Sequence, residues 1–254
     1  RGRAIFTLVS NGVKTQRDEW VYDFSRDKLE PKAKFLVTSY EKTRNSPLSA
    51  DRNVIKWDAE LDRYALSGIT KNYNKNQIRL CSYRPFHYKW LYFDRHFNGR
   101  IYQIPHIFPS GIDSNIIISM TDISYRGPIG VISTSHTIDG NFFGALEKTK
   151  NVSRYRYSPS GERLDNITDW ALKAFHKAYG KDGRTNPSWP DSSRSPTSSL
   201  GEDRVRNLDA RVGPEHDGED DAAGDSKAKG KRILSKDDIF HYVYGVLHDP
   251  VYRE

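Results

Sequence analysis

One cysteine and no long apolar run mark this sequence. With Cys81 alone in 254 residues, no internal disulfide framework is possible, and a cytoplasmic setting is expected. No stretch approaches the ~20 apolar residues of a membrane span, and no signal peptide is legible. The phosphate-holding loops G-x-x-x-x-G-K-[ST] and G-x-G-x-x-G are both missing, as is the G-x-S-x-G nucleophile elbow. Eight histidines are scattered without zinc-like spacing; His241 and His248, seven apart, read as packing or surface residues. Two fragments imitate catalytic motifs. Asn186–Trp189, "NPSW", is one residue from the NPPW-type loop of amino-methyltransferases, but no strand precedes it and no glycine-rich cofactor loop lies upstream. Glu30–Lys32, "EPK", resembles the end of a nuclease metal site, yet sits at a helix start where that chemistry expects a strand. No catalytic or metal-binding residue is assigned. The chain opens on Arg1 and stops at "DPVYRE", which suggests a piece of a longer polypeptide.

What is present is basic charge, unevenly spread. Net charge is +7, yet residues 1–100 alone hold 20 Lys+Arg against 11 Asp+Glu, so the rest is slightly acidic. A basic lobe is the usual footprint of a polyanion binder; the alternative is a solvated surface of one sign. Within that lobe, "YRPFHYKWLYFDR" (83–95) packs seven rings, counting His87, and three basic side chains into thirteen positions. In a strand, Phe86, Tyr88, Trp90 and Tyr92 share one face and His87, Lys89, Leu91 and Phe93 the other. Both faces turn apolar, which predicts a central strand with Trp90, Leu91 and Phe93 in the core. Arg84, His87 and Lys89 then form a basic rim toward solvent, an acidic partner or a phosphate.

Along the chain, a short strand ends in an expected Asn11–Gly12 turn. A helix is expected after Pro31, with Ala33, Leu36, Val37 and Tyr40 at helical spacing, and a second from Ile55 to a glycine stop at Gly68. From Gln77 to Tyr157 the runs "IRLCSY", "KWLYFD", "NIIISM", "IGVIST" and "RYRYS" alternate with Gly, Pro, Asn and Asp, which predicts strands. Helix returns after Asn166, the expected cap, with Ile167, Trp170, Ala171, Ala174, Phe175 and Ala178 forming an apolar stripe. Residues 181–232 hold one aromatic, Trp189, and are otherwise mostly small or charged, so they are expected to stay disordered. Ser235 and Asp238 then open a last helix, whose Phe240, Val243, Tyr244 and Leu247 must be buried. The expected domains are 1–180, the insertion 181–232, and 233–254 packing back on the first. The fold class is α/β (α+β-like), a mostly antiparallel or mixed sheet with flanking helices.

Four stretches taken together carry a family resemblance: "NGVKTQRDEWVYDFS", "YRPFHYKWLYFD", "NITDWALKAFHKAYG" and "DDIFHYVYGVLHDPVYRE". In this order they resemble the carboxy-terminal specificity part of type ISP restriction–modification enzymes, from Asn11 to Glu254 with 181–232 unmatched. Those are single chains joining nuclease, helicase-like ATPase, adenine methyltransferase and target-recognition regions. The sequence departs from the family in its insertion and in stopping before the family's usual tail.

The resemblance implies a target-recognition module that reads duplex DNA and positions an adenine for an upstream methyltransferase. S-adenosylmethionine, ATP and Mg would serve the full-length enzyme, with no cofactor on this part. Partners would be duplex DNA and the upstream domains of the same chain, with no membrane. Expected phosphate contacts are Lys14, Arg17, Arg84, Lys89 and Arg95; expected base readers in the major groove are Asn98, Arg100, Gln103, Ser133, Ser135 and His136. Two rivals stand beside this reading. One is a divergent nuclease or methyltransferase fragment with its own site; the other is a docking domain that touches no nucleic acid.

Overall fold

The computed structural model describes residues 3–46, 49–109, 115–122, 127–144, 148–180 and 233–253. In chain order the elements are β1 (Val9–Asn11), α1 (Asp18–Val21), β2 (Tyr22–Asp23), α2 (Arg26–Asn45), α3 (Asp51–Val54) and α4 (Ala59–Leu66). A 3-10 turn at Lys75–Gln77 leads into β3 (Ile78–Arg84), β4 (His87–Tyr92), α5 (Ile104–Ile107), β5 (Ile117–Thr121), β6 (Val131–Thr134) and β7 (Thr137–Ile138). Then come β8 (Thr149–Ser153), β9 (Tyr155–Tyr157), β10 (Arg163–Asp165), α6 (Asp169–Tyr179), α7 (Lys236–Val246) and α8 (Pro250–Arg253). The expected insertion, with Asn186–Trp189, lies outside the described residues.

The strands form two four-stranded sheets and one small hairpin, β9–β10. The first sheet, ordered β1-β8-β5-β6, is antiparallel throughout. The second, β2-β4-β3-β7, is antiparallel except for the parallel pair β3–β7. This is the mixed α/β architecture the sequence implies. The aromatic strand β4 lies between β2 and β3, as a two-faced apolar pattern requires.

Consecutive residues of a strand point to opposite faces, and β5 uses this to serve two cores. Ile117 joins the larger core with Leu29, Ala33, Leu36, Val37 and Tyr40 of α2, Leu91 and Tyr92 of β4, and Phe97. Its neighbour Ile118 joins the smaller one, with Val152, Ala171 of α6, and Ile239 and Phe240 of α7. Apart from Ile132, which also packs on the larger core, the face that carries Ile117 is polar along Ser10, Ser119, Asn151 and Ser153, all buried. They stay inside because they pair. Ser119 Oγ donates to Asn151 Oδ1 at 2.7 Å, and Asn151 Nδ2 donates to the Ser10 carbonyl at 3.3 Å.

Several local expectations are corrected. Gly12 makes no turn: a Cβ there would lie 2.4 Å from the Asp139 carbonyl oxygen, so the glycine permits a close backbone crossing. Beyond it the chain continues, Val13 N–H donating to Ile138 and Gly140 N–H to Val13, which stitches the two sheets together. Helix α2 starts at Arg26 with Ser25 as its cap, so Pro31 lies inside it. Pro31 and Asp27, whose carbonyl loses its helical partner there, are both exposed, leaving that carbonyl to water. Thr168 rather than Asn166 caps α6, accepting from Ala171 N–H. Asn166 is buried and pins the chain instead, bonding both the N–H and the carbonyl of Leu8. Trp170, expected in the apolar stripe, is 41% exposed.

Candidate nucleic-acid interface

Strand β4 rises out of the core toward its own hairpin tip. Leu91 and Tyr92 are buried, Trp90 and Lys89 half-buried, His87 and Tyr88 exposed. Its cations rest on rings. Lys89 Nζ lies 3.8 Å from the Tyr83 ring centre and 4.8 Å from that of Phe24, and Arg84, at the end of β3, lies 4.2 Å from the same Tyr83 ring centre.

Arg84 is also fixed by charge. Its Nη1 donates to Asp139 Oδ1 at 2.8 Å and to the Tyr83 carbonyl. Asp139 is buried, and burial raises its pKa against the opposing pull of the Asn141 N–H and Arg84. Tyr22 hydroxyl donates to Asp139 Oδ2 at 3.2 Å and lies 3.4 Å from Cys81 Sγ. Burial pushes both Tyr22 and the Cys81 thiol up, so Cys81 is an inert core thiol. Beneath the rim, then, lies a buried polar support that orients Arg84.

Two concavities flank the β6–β7 connection. The larger, about 620 Å³, is lined by Arg26, Arg79, Trp90, Phe108, Ser135 and His136 among others. The smaller, about 320 Å³, is lined by Tyr88, Ile116, Ser133, Thr134, Ser135 and His136. Ser135 and His136 form the ridge between them. The His136 ring meets Tyr88 edge-on at 5.5 Å, and its backbone N–H donates to Thr134 Oγ1. On the floor of the larger cleft Arg26 covers Trp90 at 5.4 Å, while Arg79 covers Phe93 and donates to the Phe108 carbonyl.

The structure thus brings Ser133, Ser135 and His136 together, and His136 touches Tyr88 beside Lys89. Lys14 and Arg100 form a second pair, bridged backbone to backbone with their side chains on one face. Arg95 and Gln103 are exposed, and Gln103 N–H is held by Ser10 Oγ. Two expectations are corrected. Arg17 is 1% exposed and paired with Asp58 at 2.5 Å, so it braces α1 against α4 rather than meeting a phosphate. Asn98 is buried and donates to the Tyr92 carbonyl, which fixes the turn after β4 and leaves no edge for a base.

Sequence reasoning missed Arg26, Arg79 and Phe24. Register brings them in: Trp90 faces Asp23 on β2 and Leu80 on β3, and no spacing in the chain announces those pairings.

Among the described residues no group of three or more His, Cys, Asp or Glu could hold a metal ion. No helix among them is long and apolar enough to cross a membrane.

With this geometry in hand, the family described as the Type ISP C-terminal specificity domain matches residues 4–254. The chain is similar to part of a cryo-EM structure of a DrdV–DNA complex, at 33% identity and a TM-score of 0.70, covering 99% of this chain and 20% of that one. It shares its fold with LlaBIII, an ATP-dependent Type ISP restriction-modification enzyme bound to DNA (24% identity, TM-score 0.57, 68% of this chain and 12% of that one). A nuclease-deletion mutant of the Type ISP enzyme LlaGI, in complex with a DNA substrate mimic, is similar in fold at 22% identity (TM-score 0.58, 71% and 18%). This chain spans a fifth or less of those chains' length. No curated protein matches it.

Proposed function

The chain belongs to the Type ISP C-terminal specificity domains, and from that membership we propose that it reads a short sequence in duplex DNA. In this reading it positions an adenine for a methyltransferase region of a longer polypeptide. S-adenosylmethionine, ATP and Mg would act in other regions of such an enzyme, and its setting would be cytoplasmic.

One observation carries the reading: the Ser135–His136 ridge stands between two clefts whose walls include Arg26 and Arg79. Hydroxyl and imidazole groups on a ridge can meet base edges, while guanidinium and ammonium groups at its flanks hold phosphates. Arg84 and Lys89 are positioned at this surface by their charged ends, Arg84 Nη1 on the buried Asp139 carboxylate and Lys89 Nζ over the Tyr83 ring. The Lys14–Arg100 pair adds two cations to this surface chemistry. Membership in a family whose solved relatives hold DNA supports the same conclusion.

The test is enrichment from a randomised duplex library by the full chain. A single motif should emerge, and Ser135→Ala or His136→Ala should relax one position of it by about 1–3 kcal/mol. No motif, together with salt-insensitive binding, would overturn the reading.

A further inference from the structure

The tip of the β3–β4 hairpin is built in an unusual way. Pro85 and Phe86 make the turn between Arg84 and His87, and the register shifts between Ser82 and Arg84 just below it. Phe86 has φ +64°, a left-handed backbone conformation that glycine adopts freely and a bulky aromatic residue avoids. Its ring is not used in packing: Phe86 is 90% exposed, although both neighbouring strands enter the core. The fold therefore bears two costs at one residue, a strained backbone and an unburied ring. Neither is offset within the described chain.

The residues flanking the tip carry cations that are held in place. Arg84 is bonded to Asp139, Lys89 lies on Tyr83 and Phe24, and Tyr88 meets His136 on the ridge between the clefts. An exposed apolar ring at a tip flanked in sequence by Arg84 and Lys89 suits a polyanion with flat apolar surfaces inside it. Stacked base pairs behind phosphates are such a surface.

We propose that Phe86 is a wedge that stacks into a base step of the bound duplex, beside the bases met by Ser135 and His136. This rests on the DNA-recognition reading and names a stacking residue for it. The strain at Phe86 is then functional: the left-handed turn residue presents its exposed ring at the hairpin tip.

The experiment uses the full chain and a duplex bearing its library-enriched motif, with 2-aminopurine placed at each position in turn. Wild type should change 2-aminopurine emission at one step only. Phe86→Ala should abolish that signal and weaken binding about ten- to a hundredfold, since an aromatic–base stack is worth roughly that much. Phe86→Trp should retain both. Phe86→Gly is the decisive variant: it should lose binding as alanine does, while its melting temperature stays level or rises because the backbone strain is relieved.

Binding within twofold of wild type for both Ala and Gly would overturn the wedge. So would weaker binding that tracks a lower melting temperature, which marks a structural residue. Weaker binding with no 2-aminopurine response at any step in wild type would place the ring against the sugar–phosphate backbone and overturn it too. A wild-type chain that enriches no motif would overturn the recognition reading itself, and the wedge with it.

Discussion

At the scale of single residues, His96 is held neutral from two sides. Burial lowers its pKa below the ordinary 6.5, and the Lys71 ammonium, 3.2 Å from Nδ1, lowers it further; Asp94 pulls the other way without prevailing. The ring also packs edge-on against Tyr64 at 4.6 Å. Between the lowered folded value and 6.5 the unfolded chain binds more protons, so stability rises with pH across that window. Below the folded value the whole penalty is present. His96→Gln should therefore lose more stability at neutral pH than in mild acid, which urea midpoints at about pH 5.5 and 7.5 would measure. Parallel midpoints for variant and wild type would show that the ring titrates alike in both states.

At the scale of elements, α7 depends on two side chains. Its start is fixed by a capping box between Ser235 and Asp238, and Ile239 and Phe240 are its buried residues. Phe240 meets Phe6 edge-on at 6.4 Å, beside Ile118 and Val152 of the first sheet. Phe240→Ala should cost about 3–5 kcal/mol in denaturant unfolding, whereas the half-buried Leu247→Ala should cost less. Equal losses would mean that the helix is packed evenly along its length.

Elements were legible where one face was continuously apolar. The α2 stripe, the β4 pattern and the runs that became β3, β5 and β6 are of that kind. Strand β8, "TKNVS", was not legible: its residues Thr149, Asn151 and Ser153 are buried yet polar, and Asn151 finds its partners 32 and 141 positions away. The same cause hid Asn166, whose local spacing suits a cap although its bonds reach back to Leu8. For the site, the chain displayed cations and rings but not which were buried. Arg17 and Lys14 look alike three positions apart until the Asp58 pairing separates them.

At the scale of the whole molecule, that separation becomes measurable through salt. Lys14→Ala and Arg100→Ala should each flatten the dependence of log affinity on log salt by about one unit per lost phosphate contact. Arg17→Met should leave that slope alone and destabilise the chain by about 1.5–3 kcal/mol, the range of a charge-assisted bond, since Asp58 is a third exposed and keeps its bonds from Glu60 and Leu61 N–H. A slope change for Arg17→Met matching that of Lys14→Ala would return Arg17 to the DNA surface. The stitching of the two sheets has a further consequence, which concerns order in time. Ala4, Leu8 and β1 take their partners from residues 149–168, with Thr168 Oγ1 bonding the Ala4 carbonyl across 164 positions. Residues 4–11 thus wait for residues 149–168 before they find their place. Contacts of such long separation slow folding, and until they form, the nascent chain carries an unpaired β1 and an open first sheet. A cell making this protein must therefore shelter β1 until residues 149–168 have been synthesised.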